Sequence, residues 1–323
     1  MKAAIRSRYG GPEVVRVVDA DKPGAGAGEL LVKVHATTVN RTDCGLRGAK
    51  PFVVRLVAGF SRPRLTILGN EFAGEVEAVG DGVSSFKAGD RVFGYDDATL
   101  GAHAEYVVVR EAGAVALIPE GLTYEEAAPS TEGSHYALSL VEGTRARAGQ
   151  RVLVYGATGA IGTAALQLLR DLGVTVTAVC GTENVDLAKS LGATDVIDYR
   201  TEDFTKDGRR YDAVIDAVGK TSFGRCRRLL RPRGVYVSSD LGPLAQNPFL
   251  ALVTPLFRGR RVRFPFARND AAMARHFKEL IESGAFRPVI DRTYTLDEIV
   301  EAYRYVETGQ KTGNVVISIE HSP

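Results

Sequence analysis

The chain has 323 residues, a length that suggests about two domains, with 45% apolar and 25% charged residues and a formal net charge of +2. So small a charge gives no electrostatic reason to expect nucleic acid or a membrane surface as partner. The start, M-K-A-A-I-R-S-R, lacks the apolar core of a signal peptide, and the longest apolar stretch, Phe249 to Phe257, is interrupted by Thr254 and Pro255 and is too short to span a bilayer. Cys44, Cys180 and Cys226 lie far apart and form neither a CxxC pair nor a disulfide framework, as expected in a reducing compartment. A cytoplasmic protein is expected.

Residues 1 to about 118 alternate β-rich runs with glycine turns, and the pattern predicts strands over Lys2–Arg8, Val14–Asp19, Glu29–Asn40, Glu71–Val79, Arg91–Tyr95 and Ala104–Val109. Short strands at this spacing suggest a small antiparallel barrel. Between them, Pro51–Leu68 has an apolar half, F-V-V-R-L-V-A-G-F, and a basic half, S-R-P-R-L. Two readings stay open: a short surface helix packed on the barrel, or a flap over a pocket.

From Thr123 the pattern changes. Glu125–Ala128 and His135–Glu142 read as helical; strands follow at Arg151–Tyr155, Val174–Cys180, Asp195–Asp198, Ala213–Ala217 and Val235–Ser239, with helices at Ile161–Leu172, Val185–Leu191 and Ser222–Leu230. Repeated βαβ units with apolar strands predict a parallel sheet covered on both faces. Arg261–Phe266 reads as one more strand, placed at an edge because Pro265 cannot donate to a central ladder. Helices at Ala271–Ser283 and Leu296–Thr308 precede a closing strand, Asn314–Glu320, expected to return to the first domain.

The stretch Arg151–Gly162, R-V-L-V-Y-G-A-T-G-A-I-G, carries the strongest chemical signal. An apolar strand breaks at Gly156, Gly159 and Gly162 and resumes as a helix, the context in which free backbone N–H groups and a helix dipole receive a pyrophosphate. Gly156, Ala157, Thr158, Gly159, Ala160, Ile161 and Gly162 are the expected cofactor loop. Two arginine clusters, Arg225/Arg227/Arg228/Arg231/Arg233 and Arg258/Arg260/Arg261/Arg263, are read as a solvated helix face and a solvated edge, because no aromatic residues interleave the first and the total charge is nearly balanced.

Taken together, V-N-R-T-D at Val39–Asp43, G-N-E-F-A-G-E-V-E-A-V-G at Gly69–Gly80, F-K-A-G-D-R-V-F-G at Phe86–Gly94, the glycine turn, S-L-G-A-T-D-V-I-D-Y at Ser190–Tyr199, D-A-V-I-D-A-V-G at Asp212–Gly219 and G-N-V-V-I at Gly313–Ile317 resemble the medium-chain dehydrogenase/reductase superfamily. The likeness covers nearly the whole chain and falls in its zinc-independent quinone oxidoreductase-like branch. It implies an α/β protein with a GroES-like antiparallel barrel domain over 1–122, completed by 268–323, and a doubly wound Rossmann nucleotide-binding domain over 123–267, with the nicotinamide in a cleft between them. It further implies that Thr182, Tyr199, Val218 and Asn314 join the cofactor loop, and that two copies meet through the edge strand at Val262–Phe266 as a homodimer.

In zinc-dependent relatives the ligand positions fall, by motif, at Asn40, Asn70 and near Glu132, and two amides with one carboxylate are poor zinc ligands. A metal-free protein is expected, with His103 and His135 as neutral packing or hydrogen-bonding residues. Without a metal to stabilise an alkoxide, conjugated acceptors are favoured, since hydride addition leaves the charge on an oxygen that one hydrogen bond can hold. Asn40 is the candidate catalytic residue, its amide donating to that oxyanion; an equal reading has Asp43, and Asn40 with it, pinning a loop. No tyrosine follows the N-x-x-D element in G-L-R-G-A-K-P-F, which disfavours enoyl-thioester reduction.

No acid stands at the end of the second strand, Ala178-Val179-Cys180, which favours NADPH, with NADH as the alternative. Glu183 opposes a phosphate if it points inward, and Lys189 and Arg200 are compensating candidates. The expected activity is NADPH-dependent, zinc-independent hydride transfer to a quinone or other conjugated carbonyl. Its rivals are an NAD(P)-dependent alcohol dehydrogenase using Asn40, Glu132, His135 or a nearby tyrosine, and a non-catalytic NADPH-binding sensor or structural protein, the latter suggested by the unusual Pro129–Leu138 segment.

Overall fold

The computed structural model describes residues 1–257 and 259–321. In chain order the elements are β1 (Lys2–Arg6), β2 (Val15–Asp19), β3 (Glu29–Val39), α1 (Arg41–Gly48), α2 (Val54–Ala58), β4 (Glu71–Val79), β5 (Arg91–Tyr95), β6 (Tyr106–Arg110), β7 (Ala114–Leu117), α3 (Tyr124–Ala127) and α4 (Glu132–Thr144). Then come β8 (Arg151–Tyr155), α5 (Ala160–Asp171), β9 (Thr175–Cys180), α6 (Val185–Ser190), β10 (Asp195–Asp198), β11 (Tyr211–Asp216), α7 (Phe223–Cys226), β12 (Leu230–Ser238) and α8 (Gln246–Val253). The chain closes with β13 (Arg261–Arg263), α9 (Ala271–Glu282), β14 (Ile290–Thr295), α10 (Ile299–Glu307) and β15 (Asn314–Ser318).

Two compact units emerge, one from 1–132, 269–283 and 290–323, the other from 133–268 and 284–289. Residues 123–132 thus lie with the first unit and 284–289 with the second, so both boundaries differ from those read in the sequence. Among the described residues, no helix is long and apolar enough to cross a membrane.

In the first unit a seven-stranded sheet runs β14-β15-β3-β4-β5-β7, with β6 also paired to β3, and β1-β2 form a separate ribbon. All its pairings are antiparallel except β14 with β15. Alternation along β3 sends Leu30, Val32 and Val34 into a core shared with Phe72, Val92, Tyr303 and Val315. The closing strand does return to this unit, pairing Val315 with Val39.

The second unit is a six-stranded parallel sheet in the order β10-β9-β8-β11-β12-β13. Leu153, Val214 and Ile215 on the central strands are fully buried, each worth about 1.5–3 kcal/mol relative to exposure. β13 is indeed an edge, and it stops before Pro265.

Several local expectations need correction. The helix expected over Ser222–Leu230 is only α7, because β12 begins at Leu230, which pairs with Tyr211, and Pro232 follows with no N–H to give a helix. The strand expected from Ala104 is displaced to β6, with Ala104 making one bridge to Ala3. The Pro51–Leu68 segment contains α2, but Phe52, Leu56 and Phe60 stand 63%, 66% and 67% exposed, so these three side chains are not packed on the barrel, whereas Leu68 is buried in its core.

The first arginine cluster is exposed, as read. In the second, Arg260, Arg261 and Arg263 are half-buried instead of solvated: Arg260 donates to Leu230 O at 2.8 Å and Arg263 to Gly143 O at 2.7 Å. Arg258 of that cluster lies outside the described residues.

Candidate active site and cofactor loop

The parallel sheet delivers the glycine turn at the C-terminal end of its central strand β8. Gly156 takes φ +76°, and both Gly156 N and Ala157 N donate to Val179 O, which folds the turn over the neighbouring strand. A Cβ on Gly156 would stand 1.6 Å from Val218 Cγ1, so loop and Val218 are brought together. On Gly162 it would stand 2.2 Å from Gly156 O, the close approach of α5 to the turn that no side chain permits. Gly159 has an ordinary extended backbone and caps α5 without a side-chain hydrogen bond, leaving first-turn N–H groups free to receive an anion. Thr158 and Ile161 are half-buried, while Ala157 and Ala160 are buried. This loop fits a dinucleotide pyrophosphate.

Around it, Asp216 organises the turn that carries Val218. Its buried carboxylate accepts from Val218 N, Gly219 N, Thr221 N and the Tyr236 hydroxyl at 2.9–3.2 Å, although burial still pushes it above the usual carboxyl range. Thr182 hydrogen-bonds through its hydroxyl to Asp198, whose backbone lies opposite Cys180. An acid of β10, Asp198, thus stands beside the end of β9, a neighbour that linear reading does not reveal. Tyr199, 53% exposed, lines a cavity of about 430 Å³ with Tyr155, Arg200, Phe204 and Arg225. Arg200 pairs with Glu183 at 2.9 Å, and Arg225 is a basic residue sequence reading had assigned to a solvated face. Asn314 opens β15 in the other unit and is 7% exposed.

The first unit holds a polar cluster at the positions expected for an acceptor site. Asn40 caps α1 in a reciprocal box: its Oδ1 accepts from Asp43 N at 3.0 Å and its own N–H donates to Asp43 Oδ2 at 3.1 Å. Asp43 Oδ1 accepts from Gly69 N at 3.1 Å, so Asp43 does pin the loop. Asn40 Nδ2 donates to Asn70 Oδ1 at 2.7 Å, and Asn70 Nδ2, fully buried, has no partner among the described residues. His103 Nε2 lies 2.8 Å from Thr38 O, which can only accept, and Nδ1 lies 3.3 Å from the Tyr303 hydroxyl, so His103 is a buried hydrogen-bonding residue. His135 is buried against the Tyr136 ring, centroids 4.4 Å apart.

Two buried acids complete the cluster. Glu71 accepts four hydrogen bonds: Oε1 from Thr131 N, Thr131 Oγ1 and Glu132 N, and Oε2 from Thr38 Oγ1. Nothing along β4 distinguishes it from a strand residue; its role needs 131–132, some 60 positions away. Glu132 accepts from the Thr42 hydroxyl at 2.7 Å. Burial, then the neighbouring Glu71, pushes its carboxyl up to about 8, with Thr42 and Lys311 opposing. The half-buried Lys311 donates to Gly313 O, and burial lowers its pKa. A glutamic acid that keeps its proton near neutrality can donate it.

These residues do not fit a zinc ion. The two amides at the ligand positions spend their donor and acceptor on one another, and the carboxyl is tied to Thr42. Among the described residues, no group of three or more His, Cys, Asp or Glu is arranged to hold a metal.

The alcohol dehydrogenase GroES-like domain family matches residues 26–120, and the zinc-binding dehydrogenase family matches residues 191–317. A quinone oxidoreductase of Pseudomonas aeruginosa is 32% identical over 96% of this chain and 97% of its own. The chain belongs to the medium-chain dehydrogenase/reductase superfamily, and pairs a GroES-like domain with a Rossmann domain. Among solved structures, the quinone oxidoreductase from Coxiella burnetii superposes with a TM-score of 0.89 at 28% identity over 99% of both chains. A mycobacterial protein solved in complex with NADPH gives 0.80 at 28% identity over 98% of this chain and 100% of its own. The relatives make this chain an oxidoreductase.

Proposed function

We propose that the protein is a zinc-independent, NADPH-dependent reductase of quinones or other conjugated carbonyls. The observation that carries this reading is the Asn40–Asn70 amide pair where zinc relatives place metal ligands. A metal-free site suits an acceptor whose conjugation spreads the charge left by hydride addition. When bound, the nicotinamide would supply the hydride. Asn40 Nδ2 has a second hydrogen for the resulting oxyanion, and the protonated Glu132 reaches the same oxygen when the resting bond reverses, Glu132 donating to Thr42 Oγ1 while the Thr42 hydroxyl turns its own hydrogen outward.

Support for NADPH comes from Arg200 and Arg225 beside Tyr199, and from the Arg200 pairing that offsets the Glu183 charge. The mycobacterial neighbour binds NADPH. The resemblance alone adds Asn314 to the cofactor residues of this reading. A homodimer joined along β13 is part of the same reading; Leu252, Leu256, Phe257 and Phe266 are 64–85% exposed in the segments flanking that edge. So is a cytoplasmic location.

The deciding experiment is oxidation of NADPH and NADH, in parallel, by chelator-treated protein against a quinone, an enone and a saturated aldehyde. Chelator-insensitive turnover of the conjugated acceptors with NADPH is the expected result. Activity confined to the aldehyde, or restored only by zinc, overturns it.

One observation favours a second reading. A protonated Glu132 behind Thr42 offers the proton donor that reduction of a simple carbonyl needs, so an alcohol dehydrogenase activity is the rival that the aldehyde arm tests.

A further inference from the structure

The whole-chain charge of +2 conceals one uneven stretch. Residues 44–70 hold five basic side chains, Arg47, Lys50, Arg55, Arg62 and Arg64, and no acidic one. Arg47 is buried and paired with Glu307, whereas the other four have no ion-pair partner among the described residues. Lys50, Arg62 and Arg64 are exposed. Between them in the chain, Phe52, Val53, Leu56 and Phe60 are each more than half exposed.

This segment is fastened at its base. The Tyr9 hydroxyl donates to Gly59 O at 2.7 Å, Arg64 N donates to Ala58 O at 2.8 Å, and Pro63 and Leu68 are buried. The Arg55 guanidinium lies 5.0 Å from the Tyr9 ring centroid and 5.4 Å from that of Phe52. The Phe52 and Phe60 rings meet edge to face, centroids 6.2 Å apart, so the apolar side chains form one patch. Held in water, they forgo the gain that burial would bring. Projecting apolar side chains among cations, with no anion in their own segment, match a surface that is negative outside and apolar within. A second copy of the same face would meet it with four like charges and be repelled.

We propose that the α2 face is a peripheral docking surface for an anionic lipid bilayer. Phe52, Val53, Leu56 and Phe60 enter the headgroup boundary, and Lys50, Arg55, Arg62 and Arg64 face the lipid phosphates. Such an attachment lies on the membrane and needs no spanning helix. The surface is in the first unit alone and does not rest on the reductase reading.

The chain has no tryptophan, so Phe60→Trp gives it a single indole, placed on this face. The test follows its emission as vesicles of phosphatidylcholine, with or without about 30 mol% phosphatidylglycerol, are added to the full chain in about 0.1 M salt. A blue shift is expected with the anionic vesicles alone, with quenching by brominated acyl chains and loss of the shift as salt rises to about 0.5 M. On this background Lys50→Gln/Arg62→Gln/Arg64→Gln should weaken partition into the anionic vesicles at least about tenfold, and Phe52→Ser/Leu56→Ser should abolish the shift. Arg55 is left in place because it packs on Tyr9 and Phe52. All the substituted side chains are exposed, so melting temperatures should stay at the wild-type value; if a multiple variant does not fold, the salt and headgroup dependence of Phe60→Trp alone decides. No shift with anionic vesicles, or an equal shift with neutral ones, overturns the proposal. A shift that grows with protein concentration in the absence of vesicles overturns it in favour of a second copy.

Discussion

The side-chain amide of Asn40 donates to that of Asn70 over 2.7 Å, while its oxygen caps α1. The two functions separate by substitution. Ser at position 40 keeps a capping oxygen and loses the amide hydrogens without placing a buried carboxylate against Asn70 Oδ1 and Asp43. Asn40→Ser is therefore expected to stay within about 2 kcal/mol of wild-type stability yet lose roughly 100-fold in kcat with a quinone. Steady-state kinetics beside a thermal melt check this, and unchanged kcat would reduce Asn40 to a cap.

Glu132 makes stability pH-dependent. Its carboxyl ordinarily titrates near 4.5 and is raised to about 8 in the fold, with Glu71, Asp43 and Lys311 as charged neighbours. The neutral acid is the favoured folded form. Its contribution is fully present below about 4.5, declines as pH rises, and is gone once pH passes about 8. The loss is on the order of a few kcal/mol. Glu132→Gln should flatten the fall in urea midpoint over a scan from about pH 6 to about pH 9. A parallel fall in both proteins would show that Glu132 is not the group responsible.

The three loop glycines should respond differently. A Cβ on Gly159 meets nothing closer than Gly156 O at 4.0 Å and its φ is ordinary, so Gly159→Ala is expected to leave the melting temperature unchanged while weakening NADPH binding about tenfold, because the approaching pyrophosphate meets the new methyl. Gly162→Ala strikes the backbone of Gly156 and Ala157 and should lower both stability and binding. Fluorescence titration with melting curves distinguishes them.

Glu183 and Arg200 hold each other at 2.9 Å on the surface. Glu183→Gln frees the guanidinium for a 2′-phosphate, and the NADPH to NADH preference in kcat/KM should rise about threefold or more, an amount consistent with an exposed charge. Arg200→Ala should shift it the opposite way. Equal effects on both cofactors would place this pair outside the phosphate site.

Where a residue's neighbours in sequence are also its neighbours in the fold, the reading held. β4, β5, β8 and β10 fall at the expected residues because runs such as Val152–Val154 or the alternation in β4 carry their own burial pattern. α1 was missed because R-T-D-C-G-L-R-G has no apolar stripe; its signal was the Asn40 and Asp43 box, noticed only as a way of pinning a loop. β14, I-D-R-T-Y-T, is a half-polar edge strand stabilised by β15, and no local pattern announces that. Asn40, the candidate amide, was singled out from its motif. Glu71 and Lys311 were not, since burial of a charged side chain is decided by segments distant in the chain.

The first unit cannot be completed in the order in which it is made. β15, synthesised last, lies between β14 and β3, and β3 is formed among the first forty residues. On a ribosome, residues 133–268 of the parallel-sheet unit emerge while β3 still lacks this partner. The early barrel strands therefore wait with Val39 and its neighbours unpaired, an edge open to association with other chains. A chain ending before Asn314 would retain that edge for good, making the last few residues a safeguard against aggregation as much as a part of the sheet.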